Sequence, residues 1–185
     1  MATIRAMKRT ILAAVVAATL LTVIGQSAQA TEVGYGRKFG LGFVLGDPTG
    51  LSAKYWIGST NALDFGLGFW GYGVNQPCPN DNTNCSRWGY HNGTFNMDYL
   101  WQSRLVSSGG LQLDWHVGGG GRIVWWGGNC NGDCTAFAAR GPIGLDMMFT
   151  NPSFLEIFFE LAPAFYVIPG FGFGIEGGLG VRLYF

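Results

Sequence analysis

From residue 171 to the end of the chain the odd positions read Phe171, Phe173, Ile175, Gly177, Leu179, Val181, Leu183 and Phe185. The even positions read Gly172, Gly174, Glu176, Gly178, Gly180, Arg182 and Tyr184. A period of two marks a β-strand with one greasy face and one small or charged face. Seven earlier stretches split the same way. Leu155, Ile157, Phe159, Leu161, Phe165 and Val167 oppose Glu156, Glu160 and Tyr166, while Phe137, Ile143, Leu145, Met147 and Phe149 oppose Arg140 and Asp146. Leu111, Leu113, Trp115, Val117, Ile123 and Trp125 oppose Gln112, Asp114, His116 and Arg122. Phe95, Met97, Tyr99, Trp101 and Leu105 oppose Asn96, Asp98, Gln102 and Arg104. Three further stretches between residues 38 and 69 set Phe39, Phe43, Tyr55, Leu63 and Phe65 against Lys38, Lys54 and Asp64. Turn signals separate the stretches, so the pattern predicts eight antiparallel strands.

The charges decide which face is inside. Lys38, Lys54, Arg104, Arg122, Arg140 and Arg182 share the even face with Asp64, Asp98, Asp114, Asp146, Glu156, Glu160 and Glu176. An eight-stranded barrel leaves an interior just wide enough for side chains. Turning Trp, Phe, Tyr and Leu inward would overfill it, whereas the small, charged face fits. The expectation is an all-β fold, an eight-stranded antiparallel transmembrane β-barrel with a lipid-facing aromatic and aliphatic exterior. Its polar lumen is expected to be plugged, because buried charges pair. Arg182 should meet Glu156, and Glu176 should meet Lys54, Arg122 or Arg140. Leu145 should reject arginine, while the inward Gly144 should accept serine.

Turn lengths alternate in the same sense. Connections near 58–61, 107–110 and 150–153 are short, and those near 73–93 and 127–135 are long. Small outer-membrane barrels have short periplasmic turns and longer external loops, so the long pair is expected outside the cell. Gly118 to Gly121 lack the Gly-Lys-Ser/Thr continuation of a phosphate loop. They read as a strand segment permitting close packing or a kink.

Composition narrows the setting. The chain has 185 residues, of which 12% are charged, about half the roughly 25% of soluble domains. Eleven Lys and Arg balance eleven Asp and Glu, so no basic field points to nucleic acid. Arg5, Lys8 and Arg9 precede the apolar or small stretch from Ile11 to Ile24, and Ala28-Gln29-Ala30 offers a small-x-small cleavage site. Residues 1–30 therefore read as a cleaved secretory signal peptide, and residues 31–185 as the barrel. Beyond the signal no apolar run approaches the ~20 residues of a membrane helix, so a membrane home requires a closed barrel.

Export also suits the cysteines. Cys78 and Cys85 lie in one polar stretch and Cys130 and Cys134 in another. An oxidising compartment favours disulfides, and four cysteines allow three connectivities. The expected pairing is local, Cys78–Cys85 and Cys130–Cys134. Neither pair has the tight Cys-x-x-Cys of most zinc sites, so no metal is expected.

The eight strands, the signal peptide and the closing Leu179-Gly180-Val181-Arg182-Leu183-Tyr184-Phe185 together resemble the small outer-membrane β-barrels of the OmpA-barrel and OmpX type. The run from Gly40 through Gly46-Asp47-Pro48-Thr49-Gly50 to Trp56 resembles the first hairpin of a family of uncharacterised bacterial outer-membrane barrels. The resemblance implies residence in a Gram-negative-type outer membrane, contact with its lipid, and recognition of Leu183 and Phe185 by the barrel-assembly machinery. It supplies no activity.

Candidate chemistry is sparse. Asp114 and His116 lie two apart on one face, and an acid beside a histidine can orient a general base. Some small outer-membrane barrels modify lipid A by acyl transfer, which gives that pairing a precedent. Yet the one inward hydroxyl, Ser52, lies on a distant strand, and His91 sits in a long loop without a partner. A structural histidine is the favoured reading. The expected function is a structural or surface-interaction role for a monomeric, non-enzymatic barrel without cofactor. A narrow ion or small-solute channel is the first alternative, and a lipid A-modifying acyl-transfer enzyme the second.

Overall fold

The structure, a computed structural model, describes residues 37–71, 93–125 and 135–185. The signal segment, all four cysteines and His91 lie outside the described residues. Among the described residues nine strands follow one another: β1 (Phe39–Asp47), β2 (Thr49–Trp56), β3 (Asn61–Trp70), β4 (Gly93–Ser108), β5 (Leu111–Trp125), β6 (Thr135–Arg140), β7 (Ile143–Phe149), β8 (Leu155–Ile168) and β9 (Gly172–Tyr184). All pairings are antiparallel, and β1 closes on β9 from Gly40 opposite Tyr184 to Asp47 opposite Gly177. Closure leaves no unpaired edge.

The strand count differs from the eight expected. A break at Gly141-Pro142 divides one course into β6 and β7, because proline has no N–H to give the ladder. Both pieces pair with β5 on one side and β8 on the other. The hydrogen-bonded ring therefore has eight members. Gly118 donates its N–H to Pro142 across the break at 2.8 Å, and Gly141 donates to Pro163 at 3.0 Å.

The two faces of the ring differ sharply. Phe43, Leu45, Trp101, Leu145, Phe165, Ile175 and Leu179 are exposed, whereas Lys54, Asp98, Asp114, Asp146, Glu156 and Arg182 are no more than 1% exposed. The wall is inverted relative to a water-soluble fold. Two departures from strict parity have local causes. A register shift between Arg104 and Val106 adds a residue to β4, so Leu105 and Val106 are both exposed, as a β-bulge dictates. At Gly46 φ is +143°, a conformation glycine adopts readily, and beyond it the odd-numbered Asp47 reaches an interior arginine.

The described connections at the rim where β1 begins and β9 ends are short. Residues 57–60 join β2 to β3, 109–110 join β4 to β5, and 150–154 join β7 to β8. Gly109 and Gly110 have φ of +54° and +120°, which suits a two-residue hairpin turn matched to strand twist. The cysteine-bearing segments between β3 and β4 and between β5 and β6 leave from the opposite rim.

Candidate functional site: the interior charge network

The interior is built from the inward positions of every strand, and its ion pairs run from one rim to the other. Nearest the loop rim, Arg122 on β5 pairs with Asp47 at 3.2 Å and with Glu176 on β9, and its Nε donates to Thr94 at 2.8 Å. One layer deeper, Arg140 faces Glu160 at 2.5 Å, Asp98 at 3.4 Å and Glu176 at 3.7 Å. His116 places Nδ1 at 2.6 Å from Asp146 and Nε2 at 3.4 Å from Glu160. Lys54 donates to Gln102 at 2.6 Å and lies 3.3 Å from Asp146 and 3.6 Å from Glu156. Arg182 completes the series with Asp64 at 2.5 Å, Glu156 at 2.7 Å and the Ser52 hydroxyl at 2.8 Å. Its guanidinium stacks 3.7 Å from the Phe158 ring centre, a cation–π contact that strengthens away from water.

Strand register explains part of this and tertiary closure the rest. Glu156 and Arg182 are direct cross-strand partners on β8 and β9. Asp64 and Asp98 also face each other directly, as do Asp114 and Asp146. Like charges in such positions repel. Each pair is relieved by groups from other strands: Arg182 on Asp64, Arg140 on Asp98, Lys54 and His116 on Asp146. Asp114 instead accepts from Gln112 at 2.9 Å and Gln102 at 3.1 Å.

Four expectations are corrected. The carboxylate that holds His116 is Asp146 from the adjoining β7, not Asp114 from its own strand: Gly144 directly opposite His116 leaves the imidazole free to reach diagonally to Asp146, while Asp114 accepts from Gln102 and Gln112. Lys38 is exposed ahead of β1 rather than inside the ring, since at that rim the wall no longer encloses it. Arg104 keeps 22% side-chain exposure and reaches Asp114 only at 4.0 Å. Gly144 has no room for serine: a Cβ there would stand 2.3 Å from the Phe159 carbonyl and 2.5 Å from the His116 ring. Close packing does occur at Gly118 and Gly120, where a Cβ would meet the Tyr99 and Met97 carbonyls at 2.4 and 2.1 Å.

The reading from charges overlooked the apolar and neutral interior. Trp56, Ala62, Met148 and Tyr184 form a buried cluster at the rim where β9 ends. There the Trp56 indole donates to Tyr184 at 3.3 Å, and the Tyr184 hydroxyl donates to Glu156 at 2.6 Å. Val124, Ala136, Ala138, Ala164 and Tyr166 form another cluster toward the loop rim. The even-face parity of all nine residues was the signal; the apolar chemistry of most of them obscured it. Between the clusters a cavity of about 30 Å³ is lined by Asp47, Ser52, Asp64, Asn96, Arg140, Glu160 and Arg182 among others, room for a water or two. Among the described residues no group of three or more His, Cys, Asp or Glu is placed to hold a metal ion.

No model of a known protein family, no curated protein and no solved structure matches this chain. The architecture itself is an antiparallel ring of eight with an apolar exterior and an ion-paired interior.

Proposed function

We propose that the protein is an outer-membrane β-barrel, exported through a cleaved signal peptide, whose plugged interior gives it a structural or surface-interaction role. The observation that carries this reading is the inversion of the wall. Leu45 and Phe43 are each 68% exposed, while Arg182 and Asp146 are 1% and 0% exposed. A lipid solvent makes that distribution favourable, because apolar side chains meet acyl chains and each strand of the ring is hydrogen-bonded to a neighbour on both sides. Water would penalise so continuous an apolar surface.

The plug follows from the network. Cations and carboxylates from all sides of the ring interlock across the lumen, with Trp56, Tyr184 and Met148 below them. Arg182, Arg140 and Lys54 with their carboxylates occupy the middle of the lumen among the described residues, which favours the plug over the channel alternative. The acyl-transfer alternative is disfavoured by burial, since the His116–Asp146 pair has side-chain exposures of 1% and 0%, and the ion-pair partners of His116 among the described residues are the carboxylates of Asp146 and Glu160.

The test is membrane fractionation of the full chain together with planar-bilayer recording of purified protein. Recovery in the outer-membrane fraction with heat-modifiable gel mobility and no resolvable conductance is expected. Recovery in a soluble fraction would overturn the membrane reading, and stable unitary currents would overturn the plug.

A further inference from the structure

His116 sits in the middle of a row of charged side chains. Its Nδ1 lies 2.6 Å from one oxygen of Asp146 on β7. Its Nε2 lies 3.4 Å from one oxygen of Glu160 on β8, an ion-pair distance rather than a closed hydrogen bond. Each carboxylate turns its other oxygen to a fixed cation, Asp146 to Lys54 at 3.3 Å and Glu160 to Arg140 at 2.5 Å. Lys54, Asp146, His116, Glu160 and Arg140 come from five different strands. They alternate in sign along the row only if the imidazole is charged.

The backbone is built for this reach. Gly144 on β7 stands directly opposite both His116 and Glu160. A Cβ there would come within 2.5 Å of the imidazole Cε1 and 2.6 Å of Nε2, so the ring lies across the bare glycine and spans β7 to face β8. The same geometry decides the charge. A neutral imidazole donates from one nitrogen and carries a lone pair on the other. In a side chain 1% exposed, that lone pair would face a carboxylate oxygen. Glu160 cannot take the proton instead without weakening its contact with Arg140, which also holds Asp98 of β4.

The other neighbours do not replace a proton on the ring. Gln102, opposite on β4, is neutral and bonded to Lys54 and Asp114. Asp114, two residues along β5, accepts from Gln102 and Gln112. Asp64 on β3 adds negative charge within electrostatic reach, while Arg182 on β9 is engaged by Asp64 and Glu156.

We propose that His116 is held as the imidazolium and works as a proton-loaded clasp joining β5, β7 and β8, so that rising pH loosens the barrel. The sign follows from linkage. A free imidazole loses its proton at pH ~6.5, so above that pH folding takes up a proton that the unfolded chain lacks. Stability then falls as pH rises, by up to about tenfold in the folding constant per pH unit for one proton. A ring protonated on both nitrogens also has no lone pair with which to act as a general base.

The experiment uses the full chain refolded in detergent micelles, and because the contacts lie inside the ring it does not rest on the outer-membrane assignment. In a His91→Gln protein His116 is the sole histidine. Nitrogen-15 spectra of that protein at about pH 8, where a free imidazole is neutral, should show both ring nitrogens protonated. Urea unfolding of the parent and of His116→Gln, compared between about pH 7 and 8.5, supplies the second readout. The parent should lose stability more steeply, by an extra factor approaching about tenfold per pH unit, while groups common to both proteins cancel. A folded protein whose ring carries a single proton at about pH 8 would overturn the proposal. So would parallel pH profiles for parent and variant. The spectroscopic readout holds even if His116→Gln fails to fold.

Discussion

Replacing Arg182 with methionine removes one charge while keeping most of the volume, so its cost reports the ion network rather than a cavity. Two carboxylates lose a partner. Glu156 retains Lys54 at 3.6 Å and the Tyr184 hydroxyl at 2.6 Å, but Asp64 has no other ion pair among the described residues. Asp64 is 4% exposed, and its neighbour across the ladder is Asp98. Breaking a buried pair in this way costs about 3–5 kcal/mol, two to three and a half orders of magnitude in the folding constant. Urea unfolding of protein refolded in phosphatidylcholine vesicles, followed by tryptophan fluorescence, measures it. Arg182→Met/Asp64→Asn removes the stranded charge as well and should recover at least half of the loss, which a double-mutant cycle quantifies. An Arg182→Met protein within about 0.5 kcal/mol of the parent, the usual range for an inconsequential surface change, would refute the reasoning. A double variant no better than the single one would do the same.

Leu145, 42% exposed on the outer wall, should lose ~2–4 kcal/mol on change to arginine if it lies near a bilayer midplane, while Leu145→Met stays near the parent in the same vesicle assay. Gly42 sits at the closing seam, where a Cβ would stand 1.8 Å from the Val181 carbonyl. Gly42→Ala should therefore lower refolding yield severely by gel shift, whereas Gly119→Ala, with open space at that point, should not. Peptide mapping without reductant is expected to find Cys78 joined to Cys85 and Cys130 to Cys134, and a crosslink between the two segments would disprove the local pairing.

The alternation of bulky and small positions determined the strands, their two faces and the number of members in the ring, because side-chain direction in a strand follows from sequence parity alone. It also sufficed for partners in register, such as Glu156 and Arg182. Parity failed where the backbone departs from a regular strand: the extra residue near Leu105, the turn in φ at Gly46 and the register shifts beside the exposed Trp70 and Ile168. Partner choice across the lumen lay beyond it. Lys54 stands opposite Asp64 in the ladder yet pairs with Asp146 and Glu156, while Arg182 crosses from β9 to reach Asp64 on β3. Those distances are fixed by closure of the ring and by the reach of each side chain into a shared, narrow interior. Two acids that face each other on adjoining strands look like a conflict in the one-dimensional pattern. In the closed barrel they become a tolerable arrangement, because cations from distant strands are brought between them.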